Sequence, residues 1–347
     1  MKVIVDDKIP YIREALATMG VEAAYLPGNR IDKKTAHDAD ALIVRTRTHC
    51  DASLLDGSNV QFIATATIGY DHIDTAYCAA HGIRWTNAPG CNAASVCQYV
   101  QSALLLLQSE QGLNLRRSTL GVVGVGHVGT LVAAMAEQWG MRVLRCDPPR
   151  AARGEEGFVS LHTIAHEADV ISLHTPLTRE GKHPTYHLAD EVFFSSLERK
   201  PYFINTSRGE TTDTAALLRA LDCKQIAQCI IDVWEGEPHI NRELLGRCYI
   251  GTPHIAGYSA DGKANATRMS LHALAQHFGL HAAPHITAPA PSASSVQAVS
   301  EAKNRADALL QIYNPHTDSL ALKTHPEHFE QLRGDYPLRR EEEAYGL

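Results

Sequence analysis

The chain has 347 residues, 44% hydrophobic and 20% charged, which is the make-up of a packed globular protein of roughly two or three domains. A net charge of −7 excludes a general nucleic-acid surface, though it leaves room for local basic sites that take a small anion. No apolar run approaches the ~20 residues of a membrane helix, so no membrane partner is expected.

The start, Met1-Lys2-Val3-Ile4-Val5-Asp6-Asp7, reads as a first strand and not as the apolar core of a signal peptide, which points to the cytoplasm. Short apolar runs at 3–6, 41–45, 62–65 and 83–88 read as buried parallel strands, with helical stretches at 11–19 and 75–80 between them. A long helix is expected over 93–111, crossing from one domain to the next. A second β-α-β series follows, with strands at 120–123, 141–146, 170–173, 202–205, 226–232 and 249–252. The stretch 259–278 is helical again. Residues 282–295, rich in Ala, Pro and Ser, read as a linker. Beyond it one helix is expected over 296–313, in a more charged tail. Eight cysteines at 50, 78, 91, 97, 146, 223, 229 and 248 form no C-x-x-C pair, so free thiols and no metal site are expected.

The most specific feature is Gly124-Val125-Gly126-His127-Val128-Gly129. Glycine loops alone are common, but here an apolar strand precedes the loop and a helix follows, with Val128, Leu131, Val132, Met135 and Trp139 expected on one face. A second strand then ends in Asp147. Gly124 permits the tight turn, Gly126 lets a pyrophosphate approach the backbone, and Gly129 lets helix and strand pack closely. The pyrophosphate would meet the free N–H groups of the helix N-terminus. Asp147, roughly 20 residues on, would bind the ribose hydroxyls and repel a 2′-phosphate, which favours NAD over NADP.

In an open parallel sheet, ligands bind at the carboxyl ends of the strands. Arg208, Glu237 and His254 all follow such ends. Singly each has a plain structural reading, and His254 is one of 19 histidines. Together they suit oxidation of an α-hydroxy acid. A histidine can take the hydroxyl proton, a carboxylate beside it orients the ring and favours its charged form, and an arginine can hold a substrate carboxylate by two parallel hydrogen bonds.

The glycine loop, the segment Asn205-Thr206-Ser207-Arg208-Gly209, the stretch from Asp232 to Glu237 and the pair Pro253-His254 resemble the D-2-hydroxy-acid dehydrogenase family. The resemblance implies that Arg208 binds the substrate carboxylate and polarises the carbonyl, that His254 is the acid/base, and that Glu237 supports it. It also implies that Gly124, Gly126, His127, Val128, Gly129, Asp147, Thr175, Thr206, Ser207, Arg208, Asp232 and Gly257 line NAD. Arg45, Thr46, Thr67 and Tyr258 would meet the substrate, a phosphorylated 2-hydroxy acid. The implied fold is a Rossmann-type NAD domain (96–257) inserted in a flavodoxin-like substrate-binding domain (1–95 and 258–281), with a small C-terminal α+β dimerisation domain (296–347).

The tail carries its own resemblance at Phe329, Leu332-Arg333, Tyr336 and Arg339-Arg340-Glu341. It implies a homodimer, with the chain stopping short of the usual end and with Arg339 or Arg340 as candidates to reach the partner's substrate phosphate. Two other readings stay open. One is a family member acting on another acid, such as phosphoglycerate. The other is a non-enzymatic, NAD(H)-sensing corepressor.

Overall fold

The computed structural model describes residues 1–280 and 286–347, so the first part of the expected linker lies outside the described residues. The chain forms two compact units, Met1–Asn92 with Ser259–Ala290, and Ala93–Tyr258 with Pro291–Leu347.

The first unit is built on five parallel strands: β1 (Lys2–Asp6), β2 (Glu22–Leu26), β3 (Ala41–Val44), β4 (Phe62–Thr65) and β5 (Arg84–Thr86). Their order, β2-β1-β3-β4-β5, is the flavodoxin-like one. The inner strands are apolar on both faces because helices cover both, and β3 and β4 are buried along their whole length. Strand β2 has no counterpart among the expected elements. It lies at the sheet edge and is nowhere fully buried, so its sequence, Glu-Ala-Ala-Tyr-Leu, carries no continuous apolar run. The helix Ala260–Phe278 belongs to this unit, and its Ala264, Leu271 and Leu274 join the core formed by Val3, Ile43 and Phe62.

The second unit has six parallel strands: β6 (Thr119–Val123), β7 (Arg142–Cys146), β8 (Val170–Leu173), β9 (Tyr202–Asn205), β10 (Gln228–Ile231) and β11 (Ile250–Gly251). The order is β11-β10-β9-β8-β6-β7, with the topological switch between β6 and β8. On the outer side of β7 only one hydrogen bond among the described residues continues the sheet, from Val159 N–H to the Arg145 carbonyl.

The helix after the glycine loop, His127–Gln138, buries Val132 and Met135 against the long helix Ala93–Gln111. Leu131, expected on that face, is 41% exposed. At 100° per residue, 128, 132, 135 and 139 cluster on one stripe, and 131 falls about 60° to its side.

The tail is helical, in place of the expected α+β module: Ala293–Ser300, Arg305–Ile312, Pro315–Thr324 and Phe329–Gly334. The single helix expected over 296–313 is two, because Asn304 caps a new start by accepting the Asp307 N–H at 3.0 Å. Leu309 and Tyr313 pack with Tyr99 of the long helix, while Leu322 and Phe329 enter the core beside Trp234 and Leu244. Ser319 accepts the Gly251 N–H at 3.0 Å, so the tail also closes the open edge of β11. Among the described residues, no helix is long and apolar enough to cross a membrane.

Candidate active site

All six strands of the second sheet run the same way, so the loops that follow them meet along one rim. The cradle at its centre follows β6. Gly124 has φ +87°, and a Cβ there would sit 2.8 Å from the His174 carbonyl carbon and oxygen. A Cβ on Gly129 would come within 2.0 Å of the Gly124 oxygen, whereas one on Gly126 would meet nothing within 4 Å. The loop is therefore tight where helix meets strand and open where a ligand would approach. Gly126 caps the helix with no side chain, which leaves its first N–H groups for an anion.

Asp147 at the end of β7 accepts the Val125 N–H at 2.9 Å and the Arg150 N–H at 3.1 Å, one bond to each oxygen. A carboxylate has about four acceptor sites, so both oxygens keep capacity for ribose hydroxyls. After β8, the Thr175 hydroxyl is buried with no partner. An orphaned hydroxyl, an open glycine and an uncapped helix start along one rim fit a dinucleotide. Burial pushes the neighbouring His174 imidazole down to about 3, so that ring stays neutral.

The loop after β9 is built on Asn205. Its amide donates to the Arg208 carbonyl at 3.0 Å and to the Thr211 and Thr212 hydroxyls, and its oxygen accepts from the Ser207 N–H and hydroxyl. Thr206 meets His174 Nδ1 at 3.3 Å. The Arg208 guanidinium donates to the Ser207 carbonyl at 2.7 Å and, among the described residues, pairs with no carboxylate. Gly209 lies flat on the next loop, because a Cβ there would sit 2.0 Å from the Trp234 carbonyl carbon. That contact ties the arginine loop to the loop after β10.

That third loop carries both acids. His254 Nδ1 meets Glu237 Oε2 at 2.8 Å, and Glu237 Oε1 accepts the Trp234 N–H at 2.9 Å. Burial pushes the Glu237 carboxyl up, but the His254 bond and charge, the Trp234 N–H and the Arg333 cation outweigh it and hold it below its usual range. Asp232 is 1% exposed and accepts from the Thr252 hydroxyl and the N–H groups of Ile255 and Ala256 at 2.7–2.9 Å. Its burial raises the carboxyl despite those bonds and the His254 charge. His254 itself has φ +58°, a left-handed conformation that costs a non-glycine residue energy. It is held there by its N–H bond to the Asp232 carbonyl at 2.8 Å and by the Ile255–Ala256 peptides clamped on the Asp232 side chain. The turn closes when Tyr258 N–H donates to the Ile255 carbonyl at 2.9 Å, across Gly257.

Arg339 backs this turn. It is 8% exposed, donates to the carbonyls of Ile255 (3.1 Å) and Ala256, to Gln98 Oε1 and to the Ser95 carbonyl, and lies 4.0 Å over the Tyr313 ring. The expectation that Arg339 reaches a partner's substrate fails, because the guanidinium is used up inside its own chain. Nothing in the spacing of the motifs indicates this role, since 84 residues separate Arg339 from Ile255.

Three of the four expected substrate residues stand in the first unit, also at strand ends. Arg45 and Thr46 follow β3, and Thr67 follows β4. Arg45 donates to the Lys8 carbonyl at 3.2 Å, Thr46 is exposed, and Thr67 bonds Thr65 and the Gly69 carbonyl. Tyr258 stands with the second unit.

Residues 97–256 match the family described as D-isomer specific 2-hydroxyacid dehydrogenase, NAD binding domain. Fold and match together define the class: an α/β oxidoreductase that binds NAD through its second sheet. An erythronate-4-phosphate dehydrogenase of Bacteroides thetaiotaomicron is 58% identical over 348 residues, which is 100% of this chain and 99% of that protein. One from Cronobacter sakazakii is 41% identical, covering 98% of this chain and 92% of its own. Among solved structures, NAD+-bound 3-phosphoglycerate dehydrogenase from Entamoeba histolytica superposes with a TM-score of 0.67 at 27% identity, over 83% of this chain and 99% of that one. The chain belongs to the erythronate-4-phosphate dehydrogenase group of the D-isomer-specific 2-hydroxyacid dehydrogenases.

Proposed function

We propose that this protein oxidises the C2 hydroxyl of 4-phospho-D-erythronate to give 2-oxo-3-hydroxy-4-phosphobutanoate, a step of pyridoxal 5′-phosphate biosynthesis. One observation carries the substrate: the 58% identity runs through the whole chain, tail included. NAD would be held by the glycine loop and Asp147 and would supply the acceptor for the hydride on C2. The rest of the work falls to the chain. Arg208 has a guanidinium without a carboxylate partner among the described residues and grips the substrate carboxylate by two parallel bonds. His254 keeps Nδ1 on Glu237, so the lone pair on Nε2 accepts the hydroxyl proton as the carbonyl forms. Glu237, held ionised, steadies the positive ring that results. Asp232 fixes the backbone on which that ring is mounted. Tyr258, on the same turn as His254, adds to the grip on the substrate.

The deciding assay uses purified protein with NAD and 4-phospho-D-erythronate, with 3-phosphoglycerate and D-erythronate as controls. NADH should form fastest with the phosphorylated four-carbon acid, and equal rates on all three would refute the assignment. The same reading makes the enzyme a cytoplasmic homodimer joined through its tail. Eight cysteines without a disulfide suit a reducing compartment, and Leu320 of the tail is 69% exposed. Light scattering that found only monomer at working concentration would remove the dimer.

A further inference from the structure

Arg208, Glu237 and His254 deal with C1 and C2, which every 2-hydroxy acid shares. A preference for a phosphorylated acid needs a group that reads the far end of the molecule. We propose that Arg333, from the same chain's tail, binds the substrate phosphate and sets the preference for phosphorylated over unphosphorylated 2-hydroxy acids. This rests on the function proposed above.

Three observations point to Arg333. The first is its place. The helix Phe329–Gly334 is anchored by Phe329, 1% exposed, and by Leu332, in the core that also holds Trp234. This sets Arg333 Nη1 3.8 Å from Glu237 Oε2, the oxygen that holds His254 Nδ1 at 2.8 Å. Arg333 thus borders the carboxylate–histidine pair, while a phosphate on C4 lies only C3, C4 and an ester oxygen beyond the reacting carbon.

The second is its unused capacity. Its contacts with the carboxylates of Glu237 (3.8 Å) and Glu330 (3.9 Å) are both too long for hydrogen bonds, and its Nε is buried without a partner. A guanidinium carries five N–H groups in a fork that matches phosphate oxygens. Arg339, a few residues on, shows what a purely structural arginine looks like here: every face of it is occupied. The third is its origin. Arg333 lies outside residues 97–256, the part matched to the general family, as a determinant of one branch's substrate would.

The test is the ratio of kcat/KM for 4-phospho-D-erythronate to that for D-erythronate, in wild type, Arg333→Met and Arg333→Lys. Losing one charge-assisted bidentate contact should cut the ratio roughly 10- to 100-fold in Arg333→Met, mainly through KM for the phosphorylated acid, with Arg333→Lys recovering part of it. NAD affinity checks that each variant is folded. If Arg333→Met loses both substrates by one factor, or neither, the ratio stands and the inference is overturned while the assigned substrate survives. A wild-type ratio near one overturns the assigned substrate itself, and the inference with it.

Discussion

The rim of the second sheet and the C-terminal tail meet at the same turn, the one that carries His254, but they arrive there differently. Rim residues sit at the ends of adjacent parallel strands, so chain order and strand direction bring them together. Tail residues arrive through packing: Phe329 and Leu322 enter one core, Tyr313 another, and the two arginines are carried along. On the proposed function, the difference separates a part that performs chemistry from a part that positions it and reads the far end of the substrate. Variants on each side test whether the division is real.

The largest effect belongs to the rim. His254→Ala removes the acceptor of the hydroxyl proton and should lower kcat about 10²- to 10⁴-fold, with NAD affinity retained. Turnover near wild type would move the base elsewhere and dissolve the distinction. Arg339→Met is the matching change in the tail. It strips the donors from the Ile255 and Ala256 carbonyls, whose N–H groups hold Asp232. We expect kcat to fall about 10- to 100-fold, since small displacements of a catalytic group are costly, and stability to fall by about 2 kcal/mol. Unchanged kcat in a stably folded Arg339→Met would show that Arg339 is scaffold only. Gly209→Ala returns to the rim. Its Cβ cannot be placed without moving the Trp234 backbone, so stability should drop by about 1–3 kcal/mol in thermal unfolding. An undisturbed Tm would mean that the arginine and glutamate loops are not locked together.

The same division explains what can be read from the residues alone. The strands, the glycine cradle, Asp147 and the Arg208, Glu237 and His254 positions follow from local pattern, because a buried parallel strand announces its end and a dinucleotide loop needs glycine at set places. Strand β2 escapes such a reading because an edge strand is only half buried. Leu131 is easily misplaced because an apolar residue beside a helical stripe looks like a member of it. Arg339 reads as a residue for a partner chain because nothing near it in sequence shows that its acceptors are carbonyls 83 and 84 residues away. Arg333 gives no local sign of lying 3.8 Å from Glu237, for the same reason.

The smallest effect concerns two carboxylates shifted in opposite directions. Glu237 on the rim is held low, so its contribution to stability is present above the unfolded value of about 4.3 and is lost as pH falls through the folded one. Asp318 in the tail is raised, because its burial outweighs the hydrogen bonds from Tyr313 (3.0 Å) and Tyr336 (3.3 Å) and the charge of Arg339. The folded state therefore binds its proton more tightly than the unfolded chain does, and stability is lost as pH rises from about 3.9 through the folded value. In Asp318→Asn the amide oxygen would still accept both tyrosine hydroxyls, but the side chain could not ionise. The stability of Asp318→Asn relative to wild type should therefore improve between about pH 4 and about pH 7 in denaturant titrations. A relative stability that worsens over that range would mean that the Arg339 charge, and not burial, governs the tail carboxylate, and that the tail is electrostatically closer to the rim than its burial implies.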